Sequence, residues 1–191
     1  QKFSLVAVGG YGRKELFPFS DIDLLILLDD KYCANHQEKL SDFSRFLWDI
    51  GLKPGQSVRT VEECTLSAKE DQTIMTSLLE SRLINGNQTL FKRMKTQTTS
   101  KNIWPSSTFF NAKMKEQQIR YNKYHDTAYN LEPNIKEGPG GLRDMQVIAW
   151  IFKRHYHTST LKELIHYGFL PDSEYQELIS AQHTLWLIRY A

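Results

Sequence analysis

Cysteine is nearly missing from this 191-residue chain, which carries only Cys33 and Cys64. Two thiols so far apart build neither a disulfide scaffold nor a four-ligand zinc site, so a reducing, cytoplasmic compartment is expected, with both as small buried apolar side chains. An excess of one charge is missing too. The 24 Lys and Arg balance 22 Asp and Glu for a net of +2, which argues against gripping a long nucleic acid by phosphate neutralisation alone. Long hydrophobic runs are absent: the longest, Ile22 to Leu28, is interrupted by Asp23 and falls far short of the ~20 residues that cross a bilayer. No membrane partner is expected. There is no internal repeat or low-complexity tract, and a 40% hydrophobic, 24% charged composition excludes disordered and fibrous classes. An initiator Met and a signal-peptide layout are lacking, and Trp186 to Ala191 ends inside a helical pattern, so the chain reads as a piece of something longer.

What is present divides into two styles. Phe3 to Val8 has the length and β-branched character of a buried strand, stopped by Gly9-Gly10-Tyr11-Gly12, with a turn and short helix to follow. Asp21 to Leu28 reads as a central strand, apolar on both faces. Leu40, Phe43, Phe46, Leu47 and Ile50 recur at helical spacing ahead of Gly51, a suitable C′ residue. Leu52 to Val61 reads as a more exposed strand, and Asp71 as the N-cap of a helix reaching Leu83. Beyond a polar stretch at Gln97 to Asn102, helices are expected at about 108–129, 142–157, 160–167 and 172–190, with Trp150, Trp186 and Tyr190 as core anchors. The fold class is α+β: an α/β head over residues 1–102, then an all-helical domain over 103–191.

Chemistry concentrates at Val8-Gly9-Gly10-Tyr11-Gly12-Arg13 and at Asp21-Ile22-Asp23. Strand side chains alternate, so Asp21 and Asp23 share a face and Ile22 points the other way. Two carboxylates so close repel unless a cation neutralises them, and an open all-oxygen site suits Mg²⁺, with Mn²⁺ as the alternative. Glycines let backbone N–H groups approach a polyphosphate. Neither a Walker A Gly-Lys-Ser/Thr nor a dinucleotide G-x-G-x-x-G is present. A phosphate cradle beside a carboxylate-held metal equips a protein to attack a nucleoside triphosphate.

These residues resemble the signature of the polymerase-β-like nucleotidyltransferase superfamily, a mixed sheet with flanking helices. Val6 to Asp23, Ser57-Val58-Arg59-Thr60 and Leu131 to Asp144 are further similar to the bacterial PII-protein uridylyltransferase/uridylyl-removing enzymes. The resemblance implies transfer of UMP from UTP to a tyrosine of the PII nitrogen-regulatory protein, with release of pyrophosphate. It implies that Asp21 and Asp23 bind metal and act in catalysis, and that Gly9, Gly10, Ser20 and Arg13 contact the nucleotide. Two departures stand out. Lys14 occupies a position where a small residue, usually Gly, is expected, and the strand at Gln56 to Thr60 lacks the third carboxylate that the superfamily often supplies. Glu62, Glu63, Asp71 and Glu80 are the candidates to replace that acid, or the metal acts alone. The family's uridylyl-removing hydrolase and sensing domains are not expected in these residues.

The stretch Asn130 to Gly141 holds Pro133, Gly138, Pro139, Gly140 and Gly141, which forbid regular structure. Lys136, Arg143 and Asn134 beside a glycine turn suit phosphate or ribose contacts, which predicts that the helical part walls the nucleotide cleft. Asp144 reads as an orienting partner for Arg143 or as a helix cap. Arg120 to His125 point several ways on a helix and read as packing rather than a nucleic-acid patch. Two other readings stay open: a nucleotide-binding sensor that no longer catalyses, motivated by the missing third acid, and adenylyl transfer to another protein or to RNA.

Overall fold

The computed structural model describes residues 2–29, 37–52, 54–125, 127, 131–158 and 160–191, and Cys33 lies outside them. The chain divides into two compact units, Gln1–Ile103 and Trp104–Ala191.

The first unit is built on a mixed four-stranded sheet of order β3-β2-β1-β4. Strand β1 (Phe3–Ala7) runs antiparallel to β2 (Ile22–Leu28), with Ala7 opposite Leu24 and Phe3 opposite Leu28. Strand β3 (Pro54–Thr60) runs parallel to β2, pairing Asp23 with Gly55 and Leu27 with Arg59. The expectation of a central strand holds, since Leu24 to Leu28 are all buried. The glycine segment differs from the expected turn. Gly9 to Arg13 themselves form a five-residue helix, α1, directly after β1. Gly12 is buried there, and a Cβ at that position would stand 2.3 Å from the Glu80 carbonyl oxygen, so the close approach requires glycine.

Helix α2 (Gln37–Asp49) ends at Gly51, whose φ of +83° and N–H bond to the Trp48 carbonyl close it. The expected strand ends at Thr60 because Thr60 and Glu63 form a capping box that starts α3 (Val61–Glu70). Asp71 does cap a helix, accepting the Thr73 N–H at 2.6 Å, but α4 (Gln72–Leu79) stops early and Arg82–Gly86 becomes β4. Helix α5 (Gln88–Gln97) follows, capped by Asn87. Cys64 has no exposed surface, and burial pushes its thiol up to about 12, so it is an inert core residue.

The second unit is helical: α6 (Ser106–Lys123), α7 (Leu142–Tyr156), the short α8 (Glu163–His166) and α9 (Asp172–Tyr190). Phe109 and Trp150 are buried anchors, and the Lys113 ammonium lies over both rings while pairing with Glu116 at 2.8 Å. The expectation fails for α9, which buries no residue within this unit and leaves Tyr190 57% exposed. Among the described residues no helix is long and apolar enough to cross a membrane.

Candidate active site

The site grows from the end of the β1–β2 ladder. The Val8 N–H donates to the Asp23 carbonyl at 3.1 Å, one step beyond the paired strands, and so brings Gly9 beside Asp23. Gly9 adopts φ +56°, a left-handed conformation, and a Cβ there would lie 2.7 Å from Asp23 Oδ2. On the other flank a Cβ at Gly55 would lie 2.7 Å from Asp23 Oδ1. The carboxylate therefore occupies a slot that exists only because both neighbours lack side chains. Asp21 sits exposed, just outside the first residue of β2.

Asp23 lines a cleft of about 370 Å³ between β2, β3 and α4. Ser57 and Arg59 of β3 enter it at alternate positions after Gly55, and Asp71, Thr73 and Ser77 enter from α4 and its cap. The four candidate acids are thereby sorted. Glu63 is spent on the Thr60 capping box. Glu80 is buried and pairs with Arg13 at 3.2 Å. Glu62 lies exposed on α3 and does not line the cleft, whereas Asp71 shares it with Asp23.

A hard dication fits this donor set. Mg²⁺ is ordinarily held by one or two carboxylates and completes its octahedron with water and substrate phosphate oxygens. Among the described residues no group of three or more His, Cys, Asp or Glu forms a ready-made cage, so Asp21 and Asp23 would hold an ion that the nucleotide helps to bind.

The other candidate contacts have structural partners. Arg13 Nε donates to Glu15 at 2.8 Å, in addition to its Glu80 pair. The Ser20 hydroxyl accepts the Phe17 N–H at 3.1 Å and closes a turn. Gly10 lies inside α1, where a Cβ would meet the Glu15 carbonyl at 3.0 Å. Lys14 is exposed with φ +66°, so the expectation of glycine at this position has a backbone reason.

In the second unit, Arg143 grips both oxygens of Glu137, at 2.9 and 3.3 Å, donates to Gln146 at 2.9 Å, and stacks over Trp150. Lys136, partly exposed, stands 3.7 Å from the same carboxylate. Asn134 Oδ1 accepts the N–H groups of Lys136 and Glu137 and makes the turn. Asp144 does not orient Arg143. It pairs with Arg120, accepts from the Tyr121 hydroxyl at 2.6 Å and from Gln117 at 3.1 Å, and takes the Gly140 N–H at 2.8 Å just ahead of α7. The Gly140 N–H lies one residue before the N-cap Gly141, so the expected helix cap is not made, and the bonds from Gln117 and Tyr121 tie α6 to α7 instead. Burial pushes the Asp144 carboxyl up, but bonds from Arg120, Tyr121, Gln117 and the Gly140 N–H outweigh it and hold it below the usual range. Burial and the Asp144 carboxylate together push the Tyr121 phenol up to about 12.

Comparison with known proteins bears on both units. Residues 1–84 match a family profile described as a nucleotidyltransferase domain, and residues 108–191 match the GlnD PII-uridylyltransferase profile. A bifunctional uridylyltransferase/uridylyl-removing enzyme of Methylococcus capsulatus is 57% identical over 98% of the chain. Its counterparts in Pseudomonas fluorescens and Vibrio vulnificus are 53% and 50% identical over the same share. The chain is similar to a segment of this uridylyltransferase family. It spans only 21–22% of the length of these relatives. Family resemblance in the sequence rests on Val6 to Asp23, with its glycine and Asp-x-Asp motifs, on Ser57 to Thr60 and on Leu131 to Asp144. The residues it did not single out are Gly55, Thr73 and Ser77, of which Gly55 could have been found, because it falls in register opposite Asp23 and two residues before Ser57.

Proposed function

We propose that this chain is the nucleotidyltransferase segment of an enzyme that moves UMP from UTP to a tyrosine hydroxyl of the PII signalling protein and releases pyrophosphate, in the cytoplasm. The observation that carries the reading is the Asp23 carboxylate, slotted between Gly9 and Gly55 and lining a cleft. The names of the relatives supply the uridylyl group and, through the family profile, the PII acceptor.

In the proposed reaction the tyrosyl oxygen attacks the α-phosphorus in line. The bond from that phosphorus to the β-phosphate oxygen breaks, and its electrons leave with pyrophosphate. Asp21 and Asp23 would hold Mg²⁺, or Mn²⁺, which when bound withdraws charge from the phosphate oxygens. Gly9, whose missing side chain admits the Asp23 carboxylate, and Gly10 would offer their backbone to the phosphates. A phenol has an ordinary pKa near ~10, so transfer at neutral pH calls for a base. Asp71, which lines the same cleft, would be the carboxylate that takes that proton, and its presence there weighs against a sensor without catalysis.

The test is incorporation of labelled UMP into purified PII by the full-length polypeptide carrying this segment. Asp21→Asn and Asp23→Asn should each lower incorporation by roughly 10³-fold or more, while circular dichroism stays unchanged. Wild-type transfer by either variant would overturn the assignment. Adenylyl transfer predicts instead that ATP serves as well as UTP in the same assay.

A further inference from the structure

The cleft that Asp23 lines carries further polar side chains. Arg59, Ser57, Thr73 and Ser77 all line it. Among the described residues, the Arg59 guanidinium makes no hydrogen bond or ion pair, and the three hydroxyls make no side-chain hydrogen bond. Arg13, Arg82, Arg120, Arg143 and Arg154 each have at least one such partner. A guanidinium that lines a cleft without a carboxylate partner is suited to an anion brought from outside.

The register fixes where that anion would lie. Gly55, Ser57 and Arg59 alternate on β3 opposite Asp23, Leu25 and Leu27, so they share one face, with Arg59 about 13 Å along the strand from Gly55. Asp23 at one end of this face and Arg59 at the other, with Asp71 also lining the cleft, suit a ligand whose α-phosphate would lie near the Asp23 carboxylate and its cation and whose remaining phosphates would extend along β3 toward Arg59.

We infer that Arg59, assisted by the hydroxyls of Ser57, Thr73 and Ser77, seats the terminal phosphates of the nucleotide and takes up the negative charge that passes to the departing pyrophosphate. The inference rests on the nucleotidyltransferase reading above. When the tyrosyl oxygen bonds to the α-phosphorus and the bond to the β-phosphate oxygen breaks, that oxygen gains the electron pair. A guanidinium at the far end of β3 would stabilise it without giving up a proton.

Calorimetric titration of the chain with UTP, UMP and inorganic pyrophosphate in Mg²⁺ buffer tests this. Arg59→Gln should weaken UTP and pyrophosphate binding by about 10- to 100-fold, the worth of a charge-assisted hydrogen-bonded pair. UMP affinity should change less than about twofold, and Arg59→Lys should recover part of the loss. The melting temperature should stay that of the wild type. If UMP weakens as much as UTP while pyrophosphate is unaffected, Arg59 reads the nucleoside and the inference is overturned. Unchanged affinity for all three, with UTP still bound by the wild type, overturns it as well and leaves the nucleotidyltransferase reading standing. Failure of the wild type to bind UTP at all sinks that reading itself.

Discussion

Asp23 and Gly55 pair across the parallel β2–β3 ladder, and a Cβ on Gly55 would stand 2.7 Å from the Asp23 Oδ1. Gly55 lies in ordinary strand geometry, so alanine there meets no backbone penalty and acts only on the carboxylate. Gly55→Ala should lower UMP transfer by at least about tenfold, since misplacing a reacting group by 1 Å can cost 10²-fold. Far-UV circular dichroism should be unchanged. Gly9→Ala adds left-handed strain at φ +56°, so it should lose transfer and also about 1 kcal/mol of stability.

Asp71 caps α4 and faces the cleft. Asparagine caps a helix as well as aspartate does, so Asp71→Asn separates the two roles. It should hold the denaturant midpoint of the wild type while cutting transfer by about 10²- to 10⁴-fold, the usual scale of general-base catalysis. Asp71→Ala should show the same catalytic loss plus about 1 kcal/mol of destabilisation. Full transfer by Asp71→Asn would remove Asp71 from the mechanism.

Lys14 holds φ +66° and, among the described residues, makes no side-chain hydrogen bond or ion pair. Lys14→Gly should stabilise the chain by up to about 1 kcal/mol, because relief of the left-handed strain exceeds the added freedom of the unfolded glycine. Urea denaturation would measure it, and a less stable variant would show that Lys14 makes an interaction worth more than the strain.

The network around Asp144 predicts two pH limbs. Its carboxyl is lowered in the folded state, so its contribution is complete above the ordinary carboxylate range and is lost as pH falls through the lowered value. The Tyr121 phenol is raised from 10.0 to about 12, so its contribution is complete below pH 10 and is lost as pH climbs toward 12. Melting temperature against pH should fall on both sides. Asp144→Asn should flatten the acid limb and Tyr121→Phe the alkaline one. An acid limb unchanged in Asp144→Asn would show that other carboxylates govern acid unfolding.

Local signals carried much of the fold. Strand β2 was legible because five consecutive buried residues leave no other reading of so short an apolar run. Helices α2, α6 and α7 were legible from periodicity, capping residues and flanking Pro105 and Gly141. Helix α3 announced itself only through Thr60 and Glu63, a signal that competes with the β-branched run before it. Strand β4 had no local signal. Arg82-Leu83-Ile84-Asn85-Gly86 neither alternates nor forms an apolar run, and it pairs because β1 offers an open edge.

The sequence by itself determined the two chemistries, an acidic pair after a glycine segment and a glycine-rich loop with cations, since residue type and spacing are local properties. Tertiary structure decided which groups line the cleft and which are held elsewhere. Arg143 and Arg13 are held by carboxylates of their own unit, while Asp71 and Arg59, 48 and 36 positions beyond Asp23, come to line its cleft. The physical reason is that a guanidinium takes whichever carboxylate the fold brings to it, and only strand register and helix packing say which one that is.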